Sequence, residues 1–307
     1  MESNIGRTVL AVLAAATLAG CGGSSGGNGT MTLALSDAPV DGASQIVVEF
    51  TGITVKPKNG APMDINYQQP VSQDLLALNA GNTHLLLDHQ ALPAGEYEWI
   101  RLNVNAQCDN VQDSYVMDNT GQVELVVPSS QNSGLKLVSG FTILRGGDES
   151  FVIDWNASMG LVAPNGQQCY KLKPALRITD MAEFGTITGT VNAALLTDGC
   201  TSDPNTGAGN AVYIFAGHGV TPDDIDGIDP EPLTTANVRL NDLSGNYEYS
   251  ATFMPVGPYT VAFTCQAADD TVPDPNDPQL NADDPILFTG GVHDADVTNG
   301  QTTTVDF

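Results

Sequence analysis

Apolar and polar residues alternate one by one along much of this chain. Residues 30–35 read TMTLAL, residues 46–51 read IVVEFT and residues 100–104 read IRLNV. A period of two places successive side chains on opposite faces of a strand, so each run predicts a β-strand with one buried face. The period typical of helices is nearly absent. One short run, SQDLLAL at 72–78, predicts a turn or a single short helix.

Turn-forming residues interrupt these runs at short intervals. The segments KPKNGAP, LPAGE, DNTGQ, RGGDE and VTNGQ combine proline, glycine, asparagine and aspartate. Many short strands joined by such turns are typical of β-sandwiches. The sequence therefore predicts an all-β chain.

A short sequence pattern that occurs twice indicates two related units. LPAGEYEWIRL begins at Leu92 and MPVGPYTVAF begins at Met254, and both carry the pattern P-x-G-x-Y. Proline and glycine set a corner, and the tyrosine follows it into a strand. A new alternating run starts in DMAEFGTITGTV, at 180–191. We predict two antiparallel β-sandwich domains in tandem, at residues 30–183 and 185–307.

The N-terminal apolar run, at 8–20, is too short to cross a bilayer, which takes about 20 apolar residues. It suits the apolar part of a secretion signal. It ends in Leu18-Ala19-Gly20-Cys21, which resembles the bacterial lipobox, a pattern whose cysteine is acylated and becomes the mature N-terminus. The alternative is an ordinary signal peptide with an incidental cysteine. We predict a lipoprotein signal peptide at 1–20 and palmitate on Cys21.

The residues after Cys21 predict how the anchored chain is held. Residues 21–29 are rich in glycine and serine, which form flexible coils, so they predict a tether. An aspartate directly after the cysteine would resemble an inner-membrane retention signal, but this position is Gly22. We therefore expect lipid anchoring in the bacterial cell envelope, at the outer membrane.

The net charge of −26 is unevenly spread. Residues 29–184 hold 17 acidic and 8 basic residues, whereas residues 185–307 hold 18 acidic residues and one basic residue, Arg239. Such a field repels nucleic acid and anionic lipid headgroups, so no nucleic-acid partner is expected. It indicates a solvated acidic surface, with specific cation binding as the alternative.

Four cysteines remain after Cys21. An even number in an exported protein favours disulfides, and four cysteines allow three pairings. None has the short spacing of a zinc site. We predict the pairs within each half, Cys108 with Cys169 and Cys200 with Cys265.

Two acidic stretches, TPDDIDGIDPEP and ADDTVPDPNDPQLNADDP, raise the question of calcium, which takes six to eight oxygen ligands. The first stretch lacks the EF-hand spacing, and we expect mutual repulsion to keep both loops extended and solvated. The alternative is a weak calcium site. No other cofactor is expected. The candidate ligands are Asp223, Asp224, Asp226 and Asp229.

No pattern in the sequence points to catalysis, and we expect no enzyme activity and no catalytic residue. The chain has no G-x-S-x-G motif and no phosphate-binding loop, and its histidines are scattered. Asp37 and Asp154 are interpreted as structural, Asp37 through an Asx-type turn in SDAP. Trp99 and Trp155 are interpreted as packing residues, with a sugar-stacking platform as the alternative.

Two family resemblances add to this interpretation. MTLALSDAPVDGASQIVVEFTGITVKP, ALPAGEYEWIRLNV, FVIDWNAS and YKLKPALRI together resemble a bacterial lipoprotein domain known as domain of unknown function 4382, over about residues 30–180. GTITGTV, MPVGPYTVAF and TNGQTTTVDF resemble carboxypeptidase-regulatory-like domains, which have transthyretin-like or immunoglobulin-like sandwiches. The second half departs from that family's compact form through its long acidic insertions. These resemblances imply accessory modules.

The sequence thus predicts a membrane-anchored envelope lipoprotein with a structural or interaction role. Its expected partners are the membrane, through the lipid, and an envelope protein or glycan. The alternative is a surface module that binds carbohydrate or calcium. The ligand is not indicated by any residue pattern.

Overall fold

The computed structural model describes residues 27–37, 43–78, 81–128, 135–162, 168–173, 175–196, 200, 202–203, 209–270 and 286–307. The predicted signal peptide, Cys21 and most of the predicted tether lie outside these residues. Within the described part of the chain, no helix is long and apolar enough to cross a membrane.

The first half consists of short strands, as the alternating pattern predicts. Two 3-10 helices, Leu75–Leu78 and Ala157–Met159, accompany them. The described strands of this half are β1 (Asn28–Asp37), β2 (Gln45–Pro57), β3 (Met63–Asp74), β4 (His84–Pro93), β5 (Gly95–Asn105), β6 (Tyr115–Asp118), β7 (Gly121–Val126), β8 (Leu135–Leu137), β9 (Phe141–Ile143), β10 (Asp148–Trp155), β11 (Leu161–Val162), β12 (Tyr170–Leu172) and β13 (Leu176–Asp180).

Two sheets of the first half pack face to face. One has the strand order β13-β10-β1-β4, and the other has the order β11-β12-β7-β6-β2-β5-β8, with β3 paired to β2 and β9 to β5. Phe50 meets Trp155 edge to face, with 6.5 Å between ring centroids, and Phe141 meets Phe151 in the same way at 5.5 Å. These contacts join side chains of opposite sheets in one apolar core, so the predicted sandwich is confirmed.

The second half is also a pair of packed sheets. Their orders are β17-β18-β14-β21 and β16-β15-β19-β20, and a 3-10 helix spans Ala193–Leu196. Apolar side chains of both sheets form a second core. The described strands are β14 (Phe184–Val191), β15 (Ala211–Ala216), β16 (Thr234–Asn237), β17 (Arg239–Leu240), β18 (Tyr247–Pro255), β19 (Gly257–Thr264), β20 (Phe288–Val297) and β21 (Thr302–Thr304).

The repeated P-x-G-x-Y pattern forms the same corner in both halves. The Tyr97 hydroxyl donates to the carbonyl of Pro93 over 2.8 Å, and the Tyr259 hydroxyl donates to the carbonyl of Pro255 over 2.7 Å. In each case the tyrosine is buried and ties the turn between two consecutive strands. The shared sequence pattern therefore encodes a shared local structure.

Among the strands that the structure describes, most pairings are antiparallel, as predicted, but three are parallel. β1 pairs with β10, β7 with β12 and β14 with β21 in parallel. A hairpin joins only antiparallel strands, whereas these partners are far apart in sequence and meet after long excursions. Periodicity within a strand carries no information about such distant partners.

The run at 72–78 divides between two elements. β3 extends to Asp74, and Leu75–Leu78 forms the 3-10 helix, with Leu75 and Leu78 buried. The Asp74 carboxylate accepts hydrogen bonds from the backbone amides of Ile46 and Leu76. The predicted short helix is therefore present as a single turn, held to β2 by an aspartate.

Side-chain hydrogen bonds connect the two halves. Asn156 donates through Nδ2 to the hydroxyls of Thr234 and Thr235, both at 3.1 Å. Thr179 donates to the carbonyl of Phe253 at 2.9 Å. Buried polar contacts of this kind fix orientation, because separating the groups without water to replace them leaves them unpaired.

Candidate functional site

The structure joins Cys108 to Cys169 and Cys200 to Cys265, the pairing that the sequence predicts. The bonded residues are separated by 61 and 65 positions, with Cα atoms 6.1 and 5.1 Å apart. Each disulfide thus closes a long loop within one half of the chain. On the chain-entropy model, a loop of this length contributes about 4 kcal/mol to the free energy of unfolding.

A buried carboxylate lies beside the first disulfide. β7 and β12 run parallel with Leu125 opposite Tyr170, which brings the preceding residues, Glu124 and Cys169, together. Oε2 of Glu124 lies 3.5 Å from Sγ of Cys169, and Oε1 is buried without a hydrogen-bond partner. Glu124 is 9% exposed and Cys169 is 2% exposed, whereas Cys108 is exposed.

Cys108, Glu124 and Cys169 form the one group of three potential metal ligands found within the described residues, with ligand atoms within 4.8 Å of one another. The two sulfurs are bonded to each other, so neither offers the thiolate that binds metal. Sequence reasoning missed Glu124. A charged residue inside the apolar run VELVV, at 123–127, is the pattern that would have found it.

The first acidic loop packs on the sheet rather than extending into solvent, which corrects the expectation of an extended loop. Asp224 is 2% exposed, and Ile225 joins an apolar cluster with Tyr213. Asp270 draws the loop in, because its carboxylate accepts hydrogen bonds from the amide of Ile225 and, at 2.5 Å, from the hydroxyl of Tyr213. Burial, with Asp270 nearby, raises the pKa of Tyr213 well above its usual range.

The candidate calcium ligands differ in exposure. Asp224 is buried, Asp223 and Asp226 are half-buried, and Asp229 is exposed. Glu231 accepts from the amides of Asp226 and Gly227. Burial raises the pKa of the Glu231 carboxyl, and contact with the Asp226 side chain raises it further. Calcium binding by these four aspartates stays a prediction. The second stretch lies mostly in residues 271–285, outside the described part of the chain.

The two tryptophans occupy different environments. Trp155 is fully buried in the first core. Trp99 is half-buried on the outer face of β5, with the ammonium of Lys136 4.6 Å from the centre of its ring. A lysine over the indole occupies the face on which a sugar would stack. The packing interpretation therefore holds for Trp155, whereas Trp99 is a surface residue in a cation–π contact.

The same outer face carries a polar network around Trp99. On β5, Nε of Arg101 donates to Oδ1 of Asn103 at 2.9 Å, and Arg101 also reaches the hydroxyl of Thr54 on β2 at 3.0 Å. Lys56 lies opposite Trp99 and pairs with Glu98 at 3.3 Å. This face therefore gathers three cationic side chains, together with the carboxylates of Glu98 and of Asp64, the latter accepting from the Thr54 hydroxyl at 2.6 Å.

Asp37 and Asp154 both make structural contacts, but Asp37 acts at a distance. Its Oδ1 accepts a hydrogen bond from the backbone amide of Ala157 at 3.0 Å, at the start of a 3-10 helix 120 positions away. The Asx-type turn that the sequence predicts in SDAP includes residues 38 and 39, which lie outside the described part of the chain. Asp154 forms an ion pair with Arg177 on the neighbouring strand.

The four histidines do not meet in one place. His89 bonds Asp148 through Nδ1 at 2.9 Å, and this hydrogen bond raises the pKa of His89. The Thr30 hydroxyl donates to Asp148 and not to the imidazole of His89. This arrangement therefore differs from a catalytic triad, in which the nucleophilic hydroxyl is hydrogen-bonded to the histidine. His218 pairs with Asp296, His293 contacts Phe307, and His84 is partly buried.

Residues 28–174 match the model of the family described as "Domain of unknown function (DUF4382)". The match coincides with the first of the two resemblances in the sequence and covers just under half of the chain. A comparison with curated proteins found no match.

The solved structures that resemble this chain share little sequence with it. The Bacillus anthracis TIE protein is 12% identical, with 92% of this chain and 34% of that protein covered and a TM-score of 0.21. A leucine-rich repeat protein from Bacteroides thetaiotaomicron is 15% identical, with coverages of 91% and 26% and a TM-score of 0.22. The minor pilin of Streptococcus agalactiae is 11% identical, with coverages of 91% and 94% and a TM-score of 0.19. The chain thus spans about a third and a quarter of the first two proteins. At these scores, the likenesses carry no argument about activity or partners.

Proposed function

We propose that this chain is a lipid-anchored protein of the bacterial cell envelope with a structural or interaction role. Cys21 is its acylated N-terminus, and the two sandwiches are presented outside the membrane. The predicted tether, 21–29, is shortened to residues 21–27, because β1 begins at Asn28. The anchor places it at the outer membrane, and it performs no catalysis of its own.

The observation that carries this proposal is the pair of disulfides, one in each half. Disulfides form and persist in oxidising compartments and are rare in the cytosol. Two long-range disulfides therefore agree with a chain that is exported by the N-terminal segment ending at Cys21.

The outer face around Trp99 supports an interaction role. Lys56, Arg101 and Lys136 converge there, whereas the chain as a whole has a net charge of −26. Three cations beside two carboxylates, Glu98 and Asp64, make this face less acidic than the chain as a whole, and such a face suits an acidic partner, because complementary potentials select both partner and register. The partner we propose is an acidic envelope protein or glycan.

Anchoring is tested in cells that are fed labelled palmitate. We expect the wild-type protein to take up label and to fractionate with the outer membrane, and Cys21→Ser to lose both properties. Gly22→Asp serves as the matched control, because it keeps the cysteine but introduces the residue that resembles the inner-membrane retention signal. It should keep the label and move to the inner membrane.

Cross-linking of intact envelopes followed by pulldown gives the second readout. A partner recovered with the wild-type protein and lost with Cys21→Ser supports the interaction role. Stable membrane association of Cys21→Ser without label would refute the lipid anchor.

A further inference from the structure

A bulge in the edge strand β4 sets the direction of the His89 side chain. β4 is the last strand of its sheet, and β1 is its one neighbour among the described strands of that sheet. The pairing shifts between Met31 and Leu33, so that Asp88 and His89 together oppose the single residue Thr32. The backbone of His89 has a φ of 42°, in the left-handed region that residues other than glycine rarely adopt. Bulges re-aim side chains in this way.

The re-aimed side chain of His89 reaches across β1 to β10. Its Nδ1 lies 2.9 Å from Oδ1 of Asp148, the first residue of β10. β1 runs between these two strands, and the hydroxyl of Thr30 on β1 donates to the same oxygen at 2.7 Å. The backbone amide of His89 donates to the Thr32 hydroxyl at 3.3 Å. One carboxylate thus connects β4, β1 and β10, while the bulge itself is tied to β1.

The charges around the imidazole have one dominant partner. The hydrogen bond to Asp148, and then the charge of Asp148, raise the pKa of His89. Asp88, the other charged group of the bulge, has its Oδ1 3.8 Å from Nε2 and raises this pKa further. The hydrogen bonds from Thr30 and His89 lower the pKa of Asp148, so Asp148 is ionised where His89 titrates.

The other elements beside this pair add little charge to it. Thr30 and Thr32, the residues of β1 that touch the pair, are uncharged. Arg145, in the turn that leads into β10, lies with its side chain close to Gly27 at the start of the described chain. The protonation of His89 is therefore governed by Asp148 and Asp88.

We propose that His89 and Asp148 form a pH-sensitive clamp that holds the edge strand β4 to β10 across β1. This goes beyond the proposed function and does not depend on the lipid anchor. Protonated His89 closes the clamp as an ion pair. Neutral His89 retains only a hydrogen bond between uncharged imidazole and carboxylate, which is weaker because charge assistance is lost.

The clamp has a defined direction with pH. The pKa of His89 in the folded chain lies above its ordinary value of 6.5. Its contribution is therefore fully present below pH 6.5 and is lost as the pH rises through the pKa of the folded state. The two side chains are 63% and 53% exposed, and exposed ion pairs change an equilibrium by about 1.5- to 5-fold. Loosening of β4 uncovers the hydrogen-bonding edge of β1, which is a template for strand pairing.

The first arm of the test is a nuclear magnetic resonance titration of the histidines in the full chain. We expect the pKa of His89 to lie above 6.5. Asp148→Asn removes the charge but keeps a side-chain oxygen that accepts from Thr30, and it should lower the pKa of His89 toward 6.5.

The second arm measures hydrogen exchange of the amides of Gln90, Ala91 and Leu92. Their rates are divided by those of amides in β19 of the same sample, which cancels the pH dependence of the chemical exchange step. We expect this ratio to rise about 1.5- to 5-fold from well below to well above the measured pKa of His89. His89→Asn should abolish the step, because asparagine tolerates the left-handed backbone but does not titrate. His293→Asn, at an exposed histidine of β20, is the matched control and should keep the step.

Each arm can refute the clamp. A pKa of His89 at or below 6.5, or one that Asp148→Asn leaves unchanged, would overturn the ion pair on which it depends. A ratio that does not change with pH, or a step that persists in His89→Asn, would overturn the coupling to β4. If His89→Asn disturbs the bulge, Asp148→Asn decides the second arm, because it keeps the histidine and should also abolish the step.

Discussion

Arg177 and Asp154 face each other across β13 and β10, close to where the two halves meet. Their nearest side-chain atoms are 2.7 Å apart, and the side chains are only 12% and 11% exposed. Nη1 of Arg177 also lies 3.1 Å from Sδ of Met254 in the second half. The ion pair therefore ties the first sandwich to the second with charges that have little access to water.

Removing one member of this pair should be costly. Arg177→Met leaves Asp154 as a buried charge without its cation, and breaking a buried pair in this way costs about 3–5 kcal/mol of unfolding free energy. The double variant Arg177→Met/Asp154→Leu should recover most of that loss, because apolar groups of similar volume replace buried pairs at little cost.

Urea unfolding, followed through the buried Trp155, measures both variants. A loss below about 1 kcal/mol in Arg177→Met would show that the pair behaves like an exposed one, and no recovery in the double variant would point to lost contacts with Met254 instead.

β14 depends on a glycine where its two neighbours approach it most closely. It lies between β18 and β21, and a Cβ atom built on Gly189 would overlap the carbonyl oxygen of Val305. The same Cβ would lie 3.0 Å from the ring of Tyr249, whose hydroxyl donates to Val305 at 2.7 Å. The C-terminal segment therefore docks against a strand that has no side chain at this position.

Gly189→Ala should force the C-terminal segment away from β14. Overpacking of this kind typically costs about 1–3 kcal/mol. The amides of Val305 and Phe307, which donate to Thr188 and Thr190, should lose protection in hydrogen exchange. Ser250→Ala, at an exposed position of β18, should change stability by less than about 0.5 kcal/mol. Unchanged protection of Val305 and Phe307 would contradict the docking described here.

Elements built from local patterns were the predictable part of this fold. The runs at 30–35, 46–51 and 100–104 fall in β1, β2 and β5. The repeated P-x-G-x-Y pattern forms an equivalent corner in each half. The alternation predicts which face of a strand is buried, and the burial patterns of β1, β2 and β5 agree with it. The parallel pairing of β1 with β10 depends on residues more than a hundred positions apart, which no local pattern encodes.

The candidate site divides in the same way. The cysteine pairs followed from number and location, whereas Glu124 became visible only when β7 and β12 were placed side by side. The packing of the acidic loop likewise depends on Asp270, which accepts from Ile225 across 45 positions. Contacts of this separation arise from the assembled sheet, so the sequence predicted the covalent links but not the groups beside them.

At the scale of the whole molecule, charge is the dominant property. The acidic side chains that give the chain a net charge of −26 repel one another in the folded state, and most of the excess negative charge lies in the second half. Salt shortens the range of this repulsion, from about 10 Å at 0.1 M to about 3 Å at 1 M. Folding should therefore be more favourable as ionic strength rises.

Thermal unfolding in sodium, magnesium and calcium chlorides separates diffuse screening from a calcium site. We expect the unfolding temperature to rise with sodium chloride, and calcium and magnesium at equal ionic strength to act alike. Asp242→Asn, outside the acidic loop, is the control for loss of one charge. The alternative outcome is a rise in unfolding temperature that is specific to calcium, that Asp226→Asn abolishes and that Asp242→Asn retains. That result would establish the predicted calcium site, whose ligands are Asp223, Asp224, Asp226 and Asp229.

The register of the four-stranded sheet sets where the chain enters and leaves the first half. Leu33 of β1 lies opposite Phe151 of β10, which in turn lies opposite Asp180 of β13, so the start of β1 and the end of β13 share one edge. Two strand spacings, or about 10 Å, separate Leu33 from Asp180, and β1 begins five residues before Leu33, at Asn28. With the anchor we propose, the second half follows from the same end of this sheet as the tether. Its height above the lipid surface is then set by the residues from Cys21 up to the start of β1 at Asn28. As a coil, these seven residues have a root-mean-square length of roughly 15 Å, and lengthening or shortening them, rather than the first sandwich, would change the reach of the second half.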